Sequence, residues 1–343
     1  MSTLKNLQEN VVLSAYTTMR VGGPSDYFVV VSDIAEVIAA CEWADDHDVS
    51  VFVLGEGSNV IAGEAGLHRL VIKMEVPGFE ILSENDDTAT IEIGAGEHWD
   101  DTVKQAVNSG LSGIECMSMI PGTSGATPVQ NAGAYGQEIA DTLISLEAYD
   151  RQAKKMVTLA KSECKFSYRD SAFKGKQAGR YVIVGITLML SKQPPAKATY
   201  ASLKRYLIEH ELNDPTLIEL RSAVMSIRSQ LLPDPSVVPN SGSFFKNPVV
   251  EPYVLERLRR RYDDMPAYAF GDDYKLSAGW LLDQCGFKGK ELFGFKLYDR
   301  HALVITNPKL AGYDDLMKTV GYIQTAVQDT FGVMLEPEPQ FIL

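Results

Sequence analysis

Residues Ile120–Ile139, IPGTSGATPVQNAGAYGQEI, carry Gly122, Gly125, Gly133 and Gly136 and a single charged side chain. Positions without a side chain can adopt backbone conformations closed to other residues. They also let peptide N–H groups come within hydrogen-bond reach of a flat or anionic ligand. Pro121 and Pro128 stiffen the same stretch. A surface linker would be rich in Ser, Lys and Glu, whereas here Ile120, Val129, Tyr135 and Ile139 interleave with the glycines. The run therefore predicts a buried ligand loop inside a domain. A second Gly-rich turn, Gly55-Glu56-Gly57-Ser58-Asn59, follows the apolar run SVFVL, where peptide N–H groups can hold phosphate. Two such loops in one N-terminal region suit a cofactor with a diphosphate and a flat ring, such as FAD.

Other chemistries lack their residues. Gly55-x-Gly57 and Gly94-x-Gly96 begin like a dinucleotide fingerprint but have no third glycine, and neither is expected to open a helix, which argues against a standard Rossmann domain. There is no Gly-Lys-Ser/Thr loop, His-Glu-x-x-His or Gly-x-Ser-x-Gly segment. Cys41, Cys116, Cys164 and Cys285 are too scattered for a metal site, so no metal is expected and each reads as a small buried hydrophobe. A net charge of −13 argues against nucleic acid or an anionic membrane as partner. The first residues lack an export signal, and no run of about 18 apolar residues occurs. A cytoplasmic protein is expected.

At 343 residues the chain suits two or three domains. YFVVV, IAEVIAACEWADDH and SVFVL read as strand, helix and strand over Tyr27–Leu54. Further strands are expected at Leu70–Lys73, Thr88–Ile93, Leu143–Tyr149 and Tyr181–Leu190, with a helix at Asp100–Ser109. Two prolines in KQPPAKATY mark a boundary after Lys192. Beyond it, helices are expected at Ala201–His210, Leu217–Gln230 and Leu276–Cys285, a strand at Ala302–Thr306, and an edge strand over LEPEPQFIL. Leu316, Val320, Ile323, Val327 and Phe331 give residues 313–331 the spacing of an amphipathic helix.

Seven motifs in order give the chain a resemblance to the UDP-N-acetylenolpyruvoylglucosamine reductase family. They are TTMRVGG from Thr17, VLGEGSNV, the Ile120–Ile139 block, Tyr168-Arg-Asp-Ser171 with Phe173-Lys174, SGSFFKNP from Ser241, KLSAGW from Lys275 and Leu335-Glu-Pro-Glu338. The resemblance implies an α+β fold. A two-part FAD-binding domain of the vanillyl-alcohol-oxidase-like (PCMH) type, over residues 1–75 and 76–192, would precede an α+β substrate domain over 193–343. It implies FAD as cofactor and NADPH as co-substrate, in peptidoglycan synthesis. NADPH would reduce the flavin, which would pass hydride to C3 of UDP-N-acetylglucosamine enolpyruvate. Protonation at C2 would then give UDP-N-acetylmuramate. The expected partners are these small molecules, with no nucleic acid, no membrane and a monomeric chain.

By the same resemblance, Arg169 would hold the substrate carboxylate as negative charge develops, Ser243 would donate the proton to C2, and Glu338, rather than Glu336, would assist Arg169. Taken alone, Arg169 could equally be a surface partner of Asp170, Ser243 a turn serine, and Glu338 a solvated residue. FAD contacts would come from Arg20, the Gly55–Asn59 turn, Pro121, Gly122, Thr123, Ser124 and Gly125, and from Gln130, Asn131, Gly133, Ala134 and Tyr135. Tyr168, Arg228, Asn247 and His301 would face the sugar nucleotide. Tyr200 stands where one subgroup carries a mobile tyrosine that closes over the diphosphate; a helix tyrosine facing the core is its other reading. The chain departs from the family at Leu231, where lysine is usual, at His301, where glutamine is familiar, and at Pro339-Gln340. A sugar or alcohol flavin oxidase and a non-catalytic binding paralogue are the alternative functions.

Overall fold

Leu67–Met74 and Ser50–Leu54 are rich in β-branched and aliphatic residues and pair in parallel from Ser50 with Arg69 to Leu54 with Lys73. In the computed structural model, which describes residues 4–175 and 177–343, they join Pro24–Val31 and Gln8–Val12 in a four-stranded sheet. The intervening helix, Ile34–Asp46, is set by its cap: Asp33 accepts from the Glu36 amide while the Glu36 carboxylate accepts from the Ser32 amide. Val37, Ala40, Cys41 and Ala44, at helical spacing, are buried beneath it.

A five-stranded antiparallel sheet follows, in the order Lys155–Ala160, Leu143–Asp150, Tyr181–Ser191, Thr88–Gly94 and Phe79–Glu84. One continuous apolar core runs from Val29 and Leu70 of the first sheet, through Val37 of its helix, to Ile91, Leu146 and Ile186 of the second sheet. These elements belong to a first unit made of residues up to Val11, Ser25–Glu56 and His68–Ser229. The helix Ala201–Glu209 and most of Leu217–Leu231 fall in the same unit, where Leu203, Leu207, Leu220, Val224 and Ile227 pack on Cys116. The boundary expected after Lys192 thus lies inside this unit.

Trp99–Asn108 is a helix, so the Gly94-x-Gly96 run does lead into one, contrary to expectation. The two glycines answer to packing. A Cβ on Gly94 would stand 2.4 Å from the Pro77 carbonyl oxygen, and one on Gly96 2.3 Å from the Glu75 backbone carbon.

The second unit comprises Val12–Pro24, Gly57–Leu67 and Gln230–Leu343. Its core is built on the helix Tyr313–Phe331, which buries Leu316, Val320, Ile323, Val327 and Phe331 as its spacing demands and ends at left-handed Gly332. An antiparallel sheet orders Asn240–Ser243, Val304–Thr306, Phe295–Leu297 and Glu291–Leu292, and a smaller one joins Val249–Val250, Asp273–Leu276 and Ala267–Phe270. The strand expected over the last nine residues contracts to Gln340–Ile342, paired in parallel with Val60–Ala62. Pro337 and Pro339 have no amide to donate, and only an isolated bridge between Phe245 and Pro337 precedes the strand.

The packing at Gly96 yields a prediction. Gly96→Ala forces backbone movement and should cost about 1–3 kcal/mol. It should be read as a lower urea midpoint with an unchanged slope.

Candidate active site

The four glycines of the long loop divide by cause. Gly122 (φ 122°) and Gly136 (φ 91°) occupy conformations that side chains avoid. Gly125 and Gly133 do not; a Cβ there would lie 2.5 Å from the Ala95 Cβ and 2.5 Å from the Gln137 carbonyl oxygen respectively. Several loop amides expected to face a ligand are engaged by the protein. Ser124 donates to the Glu97 carbonyl at 2.8 Å and Gly125 to the Ala95 carbonyl at 3.0 Å. Thr123 and Ser124 are buried, with the Ser124 and Thr102 hydroxyls 3.1 Å apart. Pro121 is exposed, and Gln130, Ala134 and Tyr135 are half-buried.

The Gly55–Asn59 turn carries the chain from one unit to the other. In the first, Gly55 sits so close to Thr123 that a Cβ would be 2.6 Å from its hydroxyl. Glu56 accepts from the Gly122 amide at 2.5 Å and pairs through its other oxygen with His98 Nδ1. In the second, Gly57 (φ 67°) leaves no room for a Cβ against the Tyr16 carbonyl, and its own carbonyl accepts from Thr18. Asn59 Nδ2 donates to the Glu338 carbonyl at 3.4 Å, and the Gln340 amide donates to the Asn59 carbonyl at 2.9 Å. Ser58 is half-buried; Arg20 is exposed at φ 55°.

Arg169 stands in the first unit in a left-handed conformation (φ 53°), at the turn bridged by Ser167 and Asp170. Its Nη1 donates to the Asn131 carbonyl at 3.2 Å and its Nη2 to the Gly133 carbonyl at 2.5 Å; the guanidinium carbon lies 5.6 Å from the Tyr168 ring centroid. Asn131, fully buried, returns the contact by donating to the Ser167 carbonyl at 3.1 Å. Arg169 is thus joined to Tyr168, Asn131 and Gly133.

Ser243 and Glu338 stand in the second unit. Ser243 pairs with Val304 directly after left-handed Gly242 (φ 70°), and the Glu338 amide donates to the carbonyl of the next residue, Phe244, at 2.8 Å. Both are half-buried. Glu336 is instead exposed and paired with Lys246 at 2.8 Å. The Ser241 hydroxyl oxygen is buried and meets no hydrogen-bond partner among the described residues.

The remaining residues fall in two places. Tyr200 caps the helix Ala201–Glu209, is 48% exposed rather than turned to the core, and meets Tyr135 edge-on at 5.3 Å. Arg228 Nη2 donates to the Met119 carbonyl at 3.1 Å, while its Nε is buried without a partner among the described residues. Burial pulls the Arg228 pKa down, against the attraction of Tyr135 and Asp100. In the second unit, Asn247 Oδ1 accepts from the Ala278 amide at 2.9 Å, at the start of the helix Ala278–Gln284. The His301 ring packs on Gly279, and burial lowers its pKa, with Asp283 opposing and Lys288 adding to the effect. Leu231 is 38% exposed. Asp100 and Arg221, which tie the helices Trp99–Asn108 and Leu217–Leu231 to the loop entrance, were not among the expected residues. The seven-residue spacing of Arg221 and Arg228 on one helix was the available signal.

Residues 25–159 match the FAD binding domain family, which puts the chain among flavin-binding proteins. Residues 234–342 match the UDP-N-acetylenolpyruvoylglucosamine reductase C-terminal domain. The enzyme of that name from Ralstonia nicotianae is 39% identical, over 98% of this chain and 99% of its own. Those of Dechloromonas aromatica and Flavobacterium johnsoniae are 38% and 34% identical over 98% of this chain, covering 100% and 99% of theirs. The crystal structure of the Thermus caldophilus reductase shares the fold, with a TM-score of 0.69 at 23% identity over 97% of this chain and 98% of its own. The chain belongs to the UDP-N-acetylenolpyruvoylglucosamine reductase family. Its fold is the expected one, a flavin-binding domain followed by the family's C-terminal domain, and neither alternative function is favoured.

His301 generates a pH prediction. Its folded pKa lies below the ordinary 6.5, so above that pH both folded and unfolded forms are neutral. As pH falls through 6.5 the unfolded chain takes up the proton first and stability declines. His301→Gln should flatten the fall in Tm between pH 7.5 and 5.5; parallel wild-type and variant curves would contradict this.

Proposed function

We propose that this chain is the NADPH-dependent flavoenzyme that reduces UDP-N-acetylglucosamine enolpyruvate to UDP-N-acetylmuramate. The observation that carries the reading is the 39% identity, over nearly the full length of both chains, to a protein named UDP-N-acetylenolpyruvoylglucosamine reductase. The residues present fit FAD. The Gly122 amide is a donor of the kind that holds a phosphate oxygen, and the Glu56 carboxylate that it now binds would have to give way to one. Gly122, at φ 122°, leaves its turn without a side chain, whereas Gly55 and Gly57 are bare because Thr123 and the Tyr16 carbonyl pack where a Cβ would stand. Bound FAD would take a hydride from NADPH and supply it to C3 of the enolpyruvyl group.

The chain's own residues bind, orient and protonate. Arg169 grips the substrate carboxylate and holds the charge that moves into it when C3 gains hydride. Two loop carbonyls fix the plane of its guanidinium, which favours a two-pronged contact. Ser243 then gives its hydroxyl proton to C2, on a rigid strand end next to Gly242. Glu338 supports Arg169; Glu336, exposed and neutralised by Lys246, is poorly suited to that task.

Arg228, whose Nε has no protein partner among the described residues, is our candidate cation for the diphosphate, where Leu231 offers none. Tyr200 stands beside Tyr135 for closure over it, while Tyr168, Asn247 and His301 serve the sugar nucleotide. FAD contacts are drawn from residues 1–75 and 76–192 and substrate contacts mainly from 193–343. The chain works on small molecules as a cytoplasmic monomer; no helix among the described residues is long and apolar enough to cross a membrane.

Ser243→Ala tests the assignment. Flavin reduction by NADPH should proceed normally, while reoxidation by the enolpyruvyl substrate should slow about 10²–10⁴-fold. Equal slowing of both half-reactions would make Ser243 a structural residue.

A further inference from the structure

The chain enters the flavin loop through Met119, whose backbone is left-handed (φ 58°), a conformation uncommon for a side chain of this kind. Both of its polar groups are held. The amide donates to Asp100 Oδ1 at 2.6 Å, and the carbonyl accepts from Arg228 Nη2 at 3.1 Å. Asp100 is fixed in turn by a two-pronged contact, Arg221 Nη1 and Nη2 donating to its two oxygens at 2.7 and 2.9 Å. The Arg221 side chain is 9% exposed, and a guanidinium so enclosed needs its partner. Burial alone would raise the Asp100 pKa, but the Arg221 fork, the Met119 amide and the charges of Arg221 and Arg228 outweigh it and hold the carboxyl below its usual range.

An ordinary acidic residue in a first helical turn does not explain this. Asp101 is also in that turn and is exposed, whereas Asp100 points at the loop. Its neighbour Trp99 grips the same segment twice, Nε1 donating to the Met117 carbonyl at 3.2 Å and the amide to the Gly122 carbonyl at 3.0 Å. Arg221 arrives from a helix 121 residues further along the chain.

We propose that Asp100 and Arg221 are positioning residues for the cofactor: the pair keeps Met119 left-handed and so sets the direction in which the chain enters Ile120–Gly125. This rests on the flavin reading above. Without the clamp, Met119 relaxes to negative φ and the loop is presented wrongly; with glycine at 119, the left-handed conformation needs no restraint.

The test compares the full-length protein with Asp100→Asn, Arg221→Met and Met119→Gly, singly and combined. One readout is the FAD Kd, from flavin fluorescence on dilution; the other is amide exchange over residues 117–126 without added flavin. Asp100→Asn and Arg221→Met should each weaken FAD about tenfold, and loop amides should exchange faster by a similar factor. Met119→Gly should be nearly silent alone and should restore FAD affinity to within about threefold of wild type in either background. Unchanged FAD affinity in both single variants overturns the proposal. So does a loss that Met119→Gly fails to relieve, because a pair that merely stabilised the unit would give that result. A wild-type protein that loads no FAD would sink the flavin reading, and the cofactor role with it. The exchange data would identify that case by still showing the clamp.

Discussion

A loop in which nine of twenty residues are glycine, alanine or proline has few side chains with which to fix its own shape, so its backbone polar groups must be held from outside. Much of the first unit is arranged to do this. Trp99 and Asp100 hold Met117, Met119 and Gly122; Glu56 holds Gly122 from another strand end; Ser171 donates to the Val129 carbonyl at 2.6 Å. The dependence is mutual at Arg169. The loop carbonyls of Asn131 and Gly133 set its guanidinium, while Asn131 ties back to Ser167. The arginine proposed to take substrate charge and the loop proposed to take the cofactor are therefore one hydrogen-bonded assembly.

The second unit applies the same constraint with different parts. The start of the chain, the Gly57–Asn59 turn and the C-terminal strand are woven together: Thr18 donates to Gly57, Asn240 to Thr18, Asn59 to Glu338 and Gln340 to Asn59. Main-chain bonds hold both glutamates, the Glu338 amide donating to Phe244 and the Glu336 carbonyl accepting from Lys246; what separates them is that Glu336 is exposed and paired with Lys246 while Glu338 is half-buried.

Long periodic segments were legible in the sequence. The helix Tyr313–Phe331 has the predicted limits because five apolar residues repeat along one face and Gly332 ends it. Strands such as Tyr181–Ser191 were plain from their apolar runs. The pattern of local residues could not show that the helices beyond the Pro-Pro interruption pack with the first unit, since that depends on Cys116 and on the distant Asp100–Arg221 pair. Nor could it separate glycines required by conformation, such as Gly122, from those required by close packing, such as Gly125. The site motifs were readable through their order and by resemblance, since Arg169, Ser243 and Glu338 each have an ordinary reading when taken alone. What holds them, including the left-handed Met119, emerges only from contacts far apart in sequence.

A flavoenzyme of this family passes reducing equivalents from NADPH to an enolpyruvyl ether through its bound flavin. The most direct measurement is an anaerobic absorbance titration of the purified protein, first with NADPH and then with UDP-N-acetylglucosamine enolpyruvate. The flavin band should bleach and then return stoichiometrically with the second addition. A band that NADPH does not bleach, or that the enolpyruvyl ether cannot restore, would contradict the proposed function.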